Sequence, residues 1–314
     1  MSKWKIAIVG AGYMAAEHAK AFAALPDAEI VGVCGRNPDR ARALAEAHGV
    51  AAYDTVGALF EATRADAVIV TVNELSMGDV CRQVFKHPWA ALLEKPVGLN
   101  LAEARRILSE SRDAQGPAWV ALNRRSHGST LASLHELTQD QGPRLVSVLD
   151  QQDMNVARSI GQPEPVVLNW MYANSIHLVD YFAIFCRGEL VGVDVTLPWD
   201  AARPGMVCAT LRYDSGDAGL YQAVWDGPGP WAVAVTNASV RLEMRPLESL
   251  TVQRRGERRA APVELGTNDA DFKPGLRVQA QELIRSLNGE TPRLATLEDA
   301  TKSMEVVAKI YGLA

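Results

Sequence analysis

Gly10-Ala11-Gly12-Tyr13-Met14-Ala15 is a spacing of small residues that can bring a peptide backbone against a pyrophosphate. The first glycine makes the tight bend, and the second lets the backbone approach the anion. Ala15 in the third place is small enough for the next helix to pack on the preceding strand. Unpaired N–H groups and the helix dipole at that helix start favour negative charge. Other α/β proteins carry similar glycine turns, so position matters. Here the turn follows the apolar run Ile6-Ala7-Ile8-Val9 without a spacer and leads into AAEHAKAFAAL, giving strand, turn and helix. A second chemical signal stands at the end of the next strand, where Cys34-Gly35-Arg36-Asn37 has no acid before Asp39. An acid at that place holds a ribose 2′-hydroxyl, whereas an arginine accommodates a 2′-phosphate. Gly35 leaves room and Arg36 supplies charge, which favours NADP(H) over NAD(H), with Arg36 and Asn37 in the expected cofactor contacts; an Arg36 turned to solvent, or a site that accepts both cofactors, is the alternative.

A parallel sheet is needed to carry these residues. The first third of the chain alternates strand-like runs at 29–34, 50–53, 67–72, 90–93 and 119–122 with helical patterns at 38–47, 56–62, 76–86 and 101–113. Asn37 suits an N-cap with Pro38 at the first helical position, and AVIVTV is apolar throughout, as a central parallel strand is. Strands separated by helices predict a doubly wound parallel sheet. Past Asn123 the pattern changes. After a bridging helix at 126–139 come strand-like runs at 144–149, 190–197, 206–213, 219–225, 231–235, 239–244 and 249–254, several separated by Asp, Gly and Pro turns. These predict a large, mostly antiparallel open sheet. A helix at 174–185 is inserted in it, and helices at 275–287 and 297–311 close the chain, Asn288-Gly289 ending the first of them. The expected organisation is a dinucleotide-binding domain over 1–123 and a substrate-binding and oligomerisation α/β domain over 124–314, with the last helix able to pack back on the first domain.

Composition narrows the function classes. The 314 residues are 48% hydrophobic with a net charge of −5. That suffices for two packed cores, and it leaves no basic stripe for a nucleic-acid partner. Arg254-Arg255-Gly256-Glu257-Arg258-Arg259 is the one dense basic cluster and reads as a solvated hairpin tip. Cys34, Cys81, Cys186 and Cys208 form no CxxC pair and suit reduced, buried thiols; no metal site is expected. With no signal-peptide pattern and no apolar run near the ~20 residues that span a bilayer, the expectation is a soluble cytoplasmic protein without a membrane partner.

Four further patches give the chain a family likeness. Val70-Thr71-Val72-Asn73, Glu94-Lys95-Pro96 and Asn123-Arg124-Arg125 end the fourth, fifth and sixth strands, and Ile176-His177-Leu178-Val179-Asp180 lies on the helix of the second domain. With GAGYMA and the terminal LEDATKSMEVVAKIYGLA, this order resembles the Gfo/Idh/MocA oxidoreductases over nearly the whole chain. GAGYMA alone is unspecific, whereas GAGYMA followed by Glu94-Lys95-Pro96 is much more so. The resemblance implies a Rossmann domain and an open-sheet α/β domain, the latter often packed against a second subunit in a homodimer or homotetramer. It also implies NAD(P)-dependent hydride transfer to or from a sugar, cyclitol or nucleotide-linked sugar.

Ligands of open α/β sheets bind beyond the carboxyl ends of the strands. Thr71, Asn73, Glu94 and Lys95 fall there and join Gly10, Gly12, Tyr13, Met14, Ala15, Arg36 and Asn37 as the expected cofactor set. Lys95, Asn123, Arg124, Trp170, Asn174 and His177 are the expected substrate set. Oxidation of a secondary alcohol needs a group that takes the hydroxyl proton and steadies charge on oxygen, which a desolvated lysine does. A Lys-Pro pair is more often a surface turn; the preceding glutamate at a strand end favours a catalytic Lys95, and Pro96 can set the preceding peptide cis. His177 sits among Ile176, Leu178, Val179 and Ile184 as a core histidine does, and the resemblance assigns it proton transfer or substrate orientation. Members of the family usually place an aspartate four residues earlier, one turn away on the same face. Here that position is Ala173, and Asn174 can hydrogen-bond a hydroxyl but cannot accept a proton as a carboxylate does. This departure keeps an alternative open, a non-catalytic or regulatory dinucleotide-binding protein; a dehydratase- or hydrolase-like relative is a third. Asp180 can orient His177 or pair with an arginine elsewhere. One of Arg124 and Arg125 suits an anionic substrate group and the other a structural ion pair. Trp170, Tyr172, Trp199, Trp225 and Trp231 offer faces to sugar rings, although most large aromatics serve packing. Residues 158–163 read as an ordered loop suited to a polyhydroxylated or phosphate-bearing ligand.

Overall fold

The computed structural model describes residues 3–313; Met1, Ser2 and Ala314, at the outer ends of the two expected domains, lie outside the described residues. In chain order the elements are β1 (Trp4–Val9), α1 (Tyr13–Ala23), β2 (Ala28–Cys34), α2 (Pro38–Ala47), β3 (Ala51–Tyr53), α3 (Val56–Thr63), β4 (Ala67–Val70), α4 (Glu74–Val84), β5 (Ala90–Leu93), α5 (Leu101–Glu110), β6 (Ala118–Val120), α6 (Gly128–Glu136), β7 (Leu145–Gln152), α7 (Met154–Ser159), α8 (Glu164–Leu168) and α9 (Ile176–Phe185). They continue with β8 (Leu190–Leu197), β9 (Met206–Tyr213), β10 (Ala218–Trp225), β11 (Ala232–Thr236), β12 (Val240–Met244), β13 (Thr251–Arg254), β14 (Ala261–Pro262), α10 (Leu276–Leu287), β15 (Ala295–Thr296) and α11 (Leu297–Tyr311). Two compact units emerge. The first runs to Ser126 and resumes over Asn268–Thr301; the second covers His127–Thr267 and the chain from Lys302.

In the first unit seven strands form a sheet in the order β15-β6-β5-β4-β1-β2-β3, parallel apart from β15, which runs antiparallel to β6. The order reverses between β1 and β4, so a crevice opens at their carboxyl ends, the place where such sheets bind ligands. Every residue of β4 and β5 is buried, which is why both appear in the sequence as unbroken apolar runs. Asn37 Oδ1 accepts from the Arg40 N–H at 3.1 Å, capping α2, and Asn73 Oδ1 accepts from the Ser76 N–H at 3.1 Å, capping α4. That second cap starts α4 at Glu74, two residues earlier than the apolar pattern indicated. Segment 268–301, which the sequence reading gave to the second domain, groups with the first unit: β15 extends its sheet, and Leu276, Ala280 and Leu283 of α10 join Ala15, Ala19 and Phe22 of α1 in one core.

The second unit holds an eight-stranded sheet in the order β14-β13-β12-β11-β7-β10-β9-β8. Its neighbours are antiparallel except for the parallel pair β7 and β10. Side chains alternate across a strand, and here Val146, Val148, Asp150 and Gln152 of β7 share the buried face with Gly219, Tyr221, Ala223 and Trp225 of β10. Helix α9 lies on that face, so close that a Cβ on Gly219 would come within 2.7 Å of the Phe182 ring. The alternation predicted that β7 stops at Leu149; it continues to Gln152 because Asp150 and Gln152 find hydrogen-bond partners inside.

Other expectations change in detail. The helix placed at 174–185 opens with a π-turn over Met171–Ser175 before α9. Residues 158–163 are not a loop throughout: Arg158 and Ser159 finish α7, and Arg158 pairs with Glu164 of α8 at 2.9 Å. The basic cluster is exposed at the turn after β13, with Arg254 paired to Glu136 at 2.8 Å. All four cysteines are unpaired thiols; burial pushes Cys34 up to about 11 and Cys81 and Cys186 up to about 12, which makes all three poor nucleophiles. Among the described residues no helix is long and apolar enough to cross a membrane, and no His, Cys, Asp and Glu group is arranged to hold a metal ion.

Candidate functional site

The chain leaves β1 at Gly10 with φ of +116°, a conformation that side-chain-bearing residues rarely adopt. A Cβ there would lie 2.6 Å from the Thr71 carbonyl oxygen. Thr71 has little room to retreat, because its N–H donates to the Val9 carbonyl at 2.7 Å and its hydroxyl to the same oxygen at 3.2 Å. On the other side the Gly10 N–H donates to the Cys34 carbonyl at 2.7 Å. The bend is thus clamped between the ends of β4 and β2. Gly12 is different: as N-cap of α1 it has no side-chain cap, and a Cβ added to it would meet nothing within 4 Å. Open space therefore lies over the first N–H groups of α1, whose first turn carries no acid.

The neighbours of the turn divide by task. Tyr13 is 66% exposed, with Lys273 Nζ 5.2 Å from its ring centroid. Met14 packs against the core, and the wholly buried Ala15 lets α1 approach the sheet. Arg36, exposed at the end of β2, places Nη1 3.5 Å from Ser76 Oγ, whereas Asn37 has its side-chain oxygen engaged in capping α2. A Cβ on Gly35 would approach Ala11 Cβ to 3.2 Å, so only a very small residue keeps the end of β2 against the turn. A bend that excludes a side chain and open helix N–H groups fit the two phosphates of a dinucleotide.

Lys95 follows β5, and the Lys95–Pro96 peptide is cis. Burial holds its ammonium below the ordinary lysine range; Glu94 and Glu74 oppose that fall, and Arg124 and Lys273 add to it. Glu94 is buried and acts as a brace. Its Oε2 accepts from the Lys95 backbone N–H at 3.1 Å, and its Oε1 meets His18 Nε2 at 2.8 Å. Because His18 is fully buried on α1, a direct hydrogen-bond path joins the helix of the glycine turn to the lysine. Asn123 is braced as well, donating from Nδ2 to the Pro274 carbonyl at 2.9 Å and accepting from Arg124 Nη1 at 2.7 Å. Arg125 Nη1 lies 3.7 Å from Asp299 Oδ2, an ion pair within the same unit.

His177, Asn174 and Trp170 belong to the second unit. His177 is buried, its ring centroid 6.1 Å from that of Trp231, and Ala173 is buried within the π-turn. Asn174 Nδ2 donates to Gln152 Oε1 at 2.8 Å. Asp180 is buried and accepts from Ser303 Oγ at 2.7 Å. Of the aromatics, Trp170 is partly exposed, Tyr172 is buried, Trp199 and Trp225 pack at 4.4 Å, and Trp231 Nε1 donates to the Gln151 carbonyl at 2.7 Å.

Sequence reasoning missed His18, Glu74 and Lys273 around the lysine, and in the second unit Asp150 with Tyr221 and Tyr311. Two signals were present. His18 lies on the apolar stripe that α1 shares with Ala15 and Phe22, and Asp150 occupies an inward position of an alternating strand; a polar residue in either place needs a partner.

Residues 4–122 match a family described as an oxidoreductase family with an NAD-binding Rossmann fold. D-apiose dehydrogenase of Paraburkholderia graminis is 29% identical over 124 residues, covering 39% of this chain and 33% of that protein. Inositol 2-dehydrogenase of Rhizobium meliloti is 30% identical over 121 residues, covering 38% of this chain and 36% of that protein. The matched stretch is thus about a third of each relative's length. Solved structures share the fold along the chain. UDP-N-acetylglucosamine 3-dehydrogenase GnnA from Acidithiobacillus ferrooxidans has a TM-score of 0.81 at 18% identity, covering 100% of this chain and 98% of that one. Aldose-aldose oxidoreductase from Caulobacter crescentus has a TM-score of 0.83 at 17% identity, with coverages of 99% and 97%.

Proposed function

We propose, from a first domain that belongs to the Gfo/Idh/MocA oxidoreductase family, that this protein is an NADP(H)-dependent oxidoreductase acting on a CH–OH group of a sugar, cyclitol or nucleotide-linked sugar. The observation that carries this reading is the lysine at the carboxyl end of β5, its ammonium acidified by burial and its backbone tied through Glu94 to the helix of the glycine turn. A binding-only protein has no need of such a group. A bound nicotinamide would supply the hydride acceptor in one direction and the hydride donor in the other. Neutral Lys95 takes the hydroxyl proton as the C–H bond gives up its hydride and C=O forms; as an ammonium it returns that proton to the alkoxide in reduction. The Gly12 turn and α1 would hold the pyrophosphate and Arg36 the 2′-phosphate; in the second unit, His177 and Asn174 would orient substrate hydroxyls. The polyhydroxylated compounds in the names of the relatives support the substrate class.

A regulatory dinucleotide-binding protein remains the second reading, and Ala173 in place of a carboxylate favours it. Calorimetric titration of nucleotide-stripped protein with NADPH and NADH, followed by turnover assays with myo-inositol, D-apiose and UDP-N-acetylglucosamine, separates the two. Tighter NADPH binding with turnover of any of the three supports the enzyme. Binding without turnover of any polyol supports the regulator, and binding of neither nucleotide removes both.

A further inference from the structure

In the second unit two chains of hydrogen bonds, with the Ser175 hydroxyl as a further donor, converge on one carboxylate. Asp150 and Gln152, two residues apart on β7, face the buried side of the sheet together. Gln152 Nε2 donates to Asp150 Oδ1 at 2.5 Å, and Gln152 Oε1 accepts from Asn174 Nδ2 at 2.8 Å. From the opposite side the Tyr221 hydroxyl donates to Asp150 Oδ2 at 2.7 Å and lies 2.8 Å from the Tyr311 hydroxyl, which accepts from Trp225 Nε1 at 3.2 Å. Burial and the charge of Asp150 hold both phenols far above their ordinary range, so both keep their protons and donate. The network uses buried groups from β7, β10 and α11, and it emerges at Asn174, which is only partly buried.

The direction of these bonds follows from their anchor. An ionised carboxylate accepts and never donates. The Gln152 amide must therefore turn its nitrogen to Asp150 and its oxygen to Asn174. Asn174 in turn must point its nitrogen inward, which leaves Oδ1 directed at whatever approaches from outside. An asparagine at an exposed position otherwise flips between donor and acceptor faces at little cost; this one is locked by a charge two side chains away.

We propose that Asp150, acting through Gln152, fixes Asn174 as an acceptor for a substrate hydroxyl, so that this site selects polyols that donate a hydrogen bond there. Asp150 and Gln152 are positioning residues, and Asn174 is the specificity-determining contact. The identity of the ligand rests on the oxidoreductase reading, whereas the direction of the chain does not.

Exchanging functional groups separates direction from packing. Asp150→Asn preserves shape but supplies a group that donates or accepts, so the order is lost. Asp150→Asn combined with Gln152→Glu moves the acceptor-only group one place along the chain, and a carboxylate at position 152 again receives the nitrogen of Asn174. Two measurements follow. In proton–nitrogen NMR spectra the Gln152 side-chain amide, assigned by its loss in Gln152→Glu, shows a wide splitting between its two protons in the wild type that collapses in Asp150→Asn. KM for whichever of myo-inositol, D-apiose or UDP-N-acetylglucosamine is turned over rises about tenfold in Asp150→Asn, with a smaller change in kcat, and returns towards the wild-type value in the double variant. Gln152→Met, which cuts the link while leaving the anchor in place, gives the same rise if Asp150→Asn does not fold. An amide splitting unchanged in Asp150→Asn, or a KM that the double variant fails to restore or that Gln152→Met leaves unchanged, overturns the proposal. If wild-type protein turns over none of the three polyols, the oxidoreductase reading falls and the amide splitting alone decides the direction.

Discussion

Two alanine substitutions in the glycine turn should behave in opposite ways. For Gly10→Ala, the φ of +116° costs about 1–3 kcal/mol for a residue with a Cβ. The new methyl would also sit 2.6 Å from the Thr71 carbonyl oxygen and 2.8 Å from its carbon. Relief requires Thr71 to move, which weakens the bond from the Thr71 N–H to Val9, or Gly10 to move, which weakens its bond to Cys34. Each such bond contributes about 1 kcal/mol. The sum, about 2–4 kcal/mol, is a large share of the 5–15 kcal/mol typical of a folded domain. At about 2–4 °C per kcal/mol for a unit of this size, the melting transition should fall by roughly 4–16 °C. Gly12→Ala removes an N-cap glycine at a φ of −94° with no neighbour within 4 Å, so it should cost at most about 1 kcal/mol. Its methyl enters the space assigned to the pyrophosphate, and NADPH affinity should fall at least tenfold. Differential scanning calorimetry and isothermal titration on both variants give the four numbers needed. A Gly10→Ala protein that melts with the wild type refutes the clamp, and a Gly12→Ala protein that binds NADPH normally refutes the cradle.

Lys95→Ala should lower turnover by 10²–10⁴ with NADPH affinity held within a few-fold, and a fully active variant ends the mechanism. Because burial lowers the Lys95 pKa, alcohol oxidation should rise with pH to a plateau reached below the ordinary lysine pKa, while carbonyl reduction falls over the same range; a flat profile in both directions removes lysine as the proton carrier. Arg36→Asp should move preference from NADPH towards NADH by about 10–100-fold, the strength of a hydrogen bond to a charged group, as read by paired titrations; an unchanged ratio means that Arg36 does not meet the 2′-phosphate. Burial raises Asp150 from 3.8 to about 6 against hydrogen bonds from Tyr221, Ser175 and Gln152, so between those pH values the folded state binds more protons than the unfolded one. Stability should therefore decline by about 3 kcal/mol as pH rises through this window, and Asp150→Asn should abolish that slope in urea titrations. Val191 and Met206 are 62% and 64% exposed on β8 and β9; if the chain forms homo-oligomers through that sheet, Val191→Asp with Met206→Asp should lower the sedimenting mass, and an unchanged mass excludes these two residues from the contact.

How far the sequence could be read depended on whether a local rule had a competitor. The parallel core was legible because β4 and β5 are buried on both faces and so appear as pure apolar runs. The cap of α2 was legible because Asn37-Pro38 satisfies local backbone needs with local atoms. The end of β7 was not: Asp150-Gln151-Gln152 looks like a polar loop until Tyr221 and Asn174 arrive from distant parts of the chain to satisfy it. The roles of Glu94 and Asn123 were hidden for the same reason. Their residue types advertise ligand contacts, but His18 and Pro274 engage them within the fold. Two-residue strands such as β15 carry no periodicity to detect, and so the return of segment 268–301 to the first unit left no local trace.

That return sets a timetable for the newborn chain. When Ser126 has been synthesised, six strands of the first sheet exist, but the strand that pairs with β6 and the helix that packs beside α1 do not. At ~5–20 residues per second, the interval until α10 begins at Leu276 is roughly 8–30 s. Through that time the outer edge of β6 presents unpaired backbone groups, and the apolar surface later shared by Ala21, Phe22 and Leu283 stays open. An unfinished sheet edge beside exposed apolar surface is what holding chaperones bind, so the first unit, although its sequence begins first, is completed only after nearly all of the second has been made.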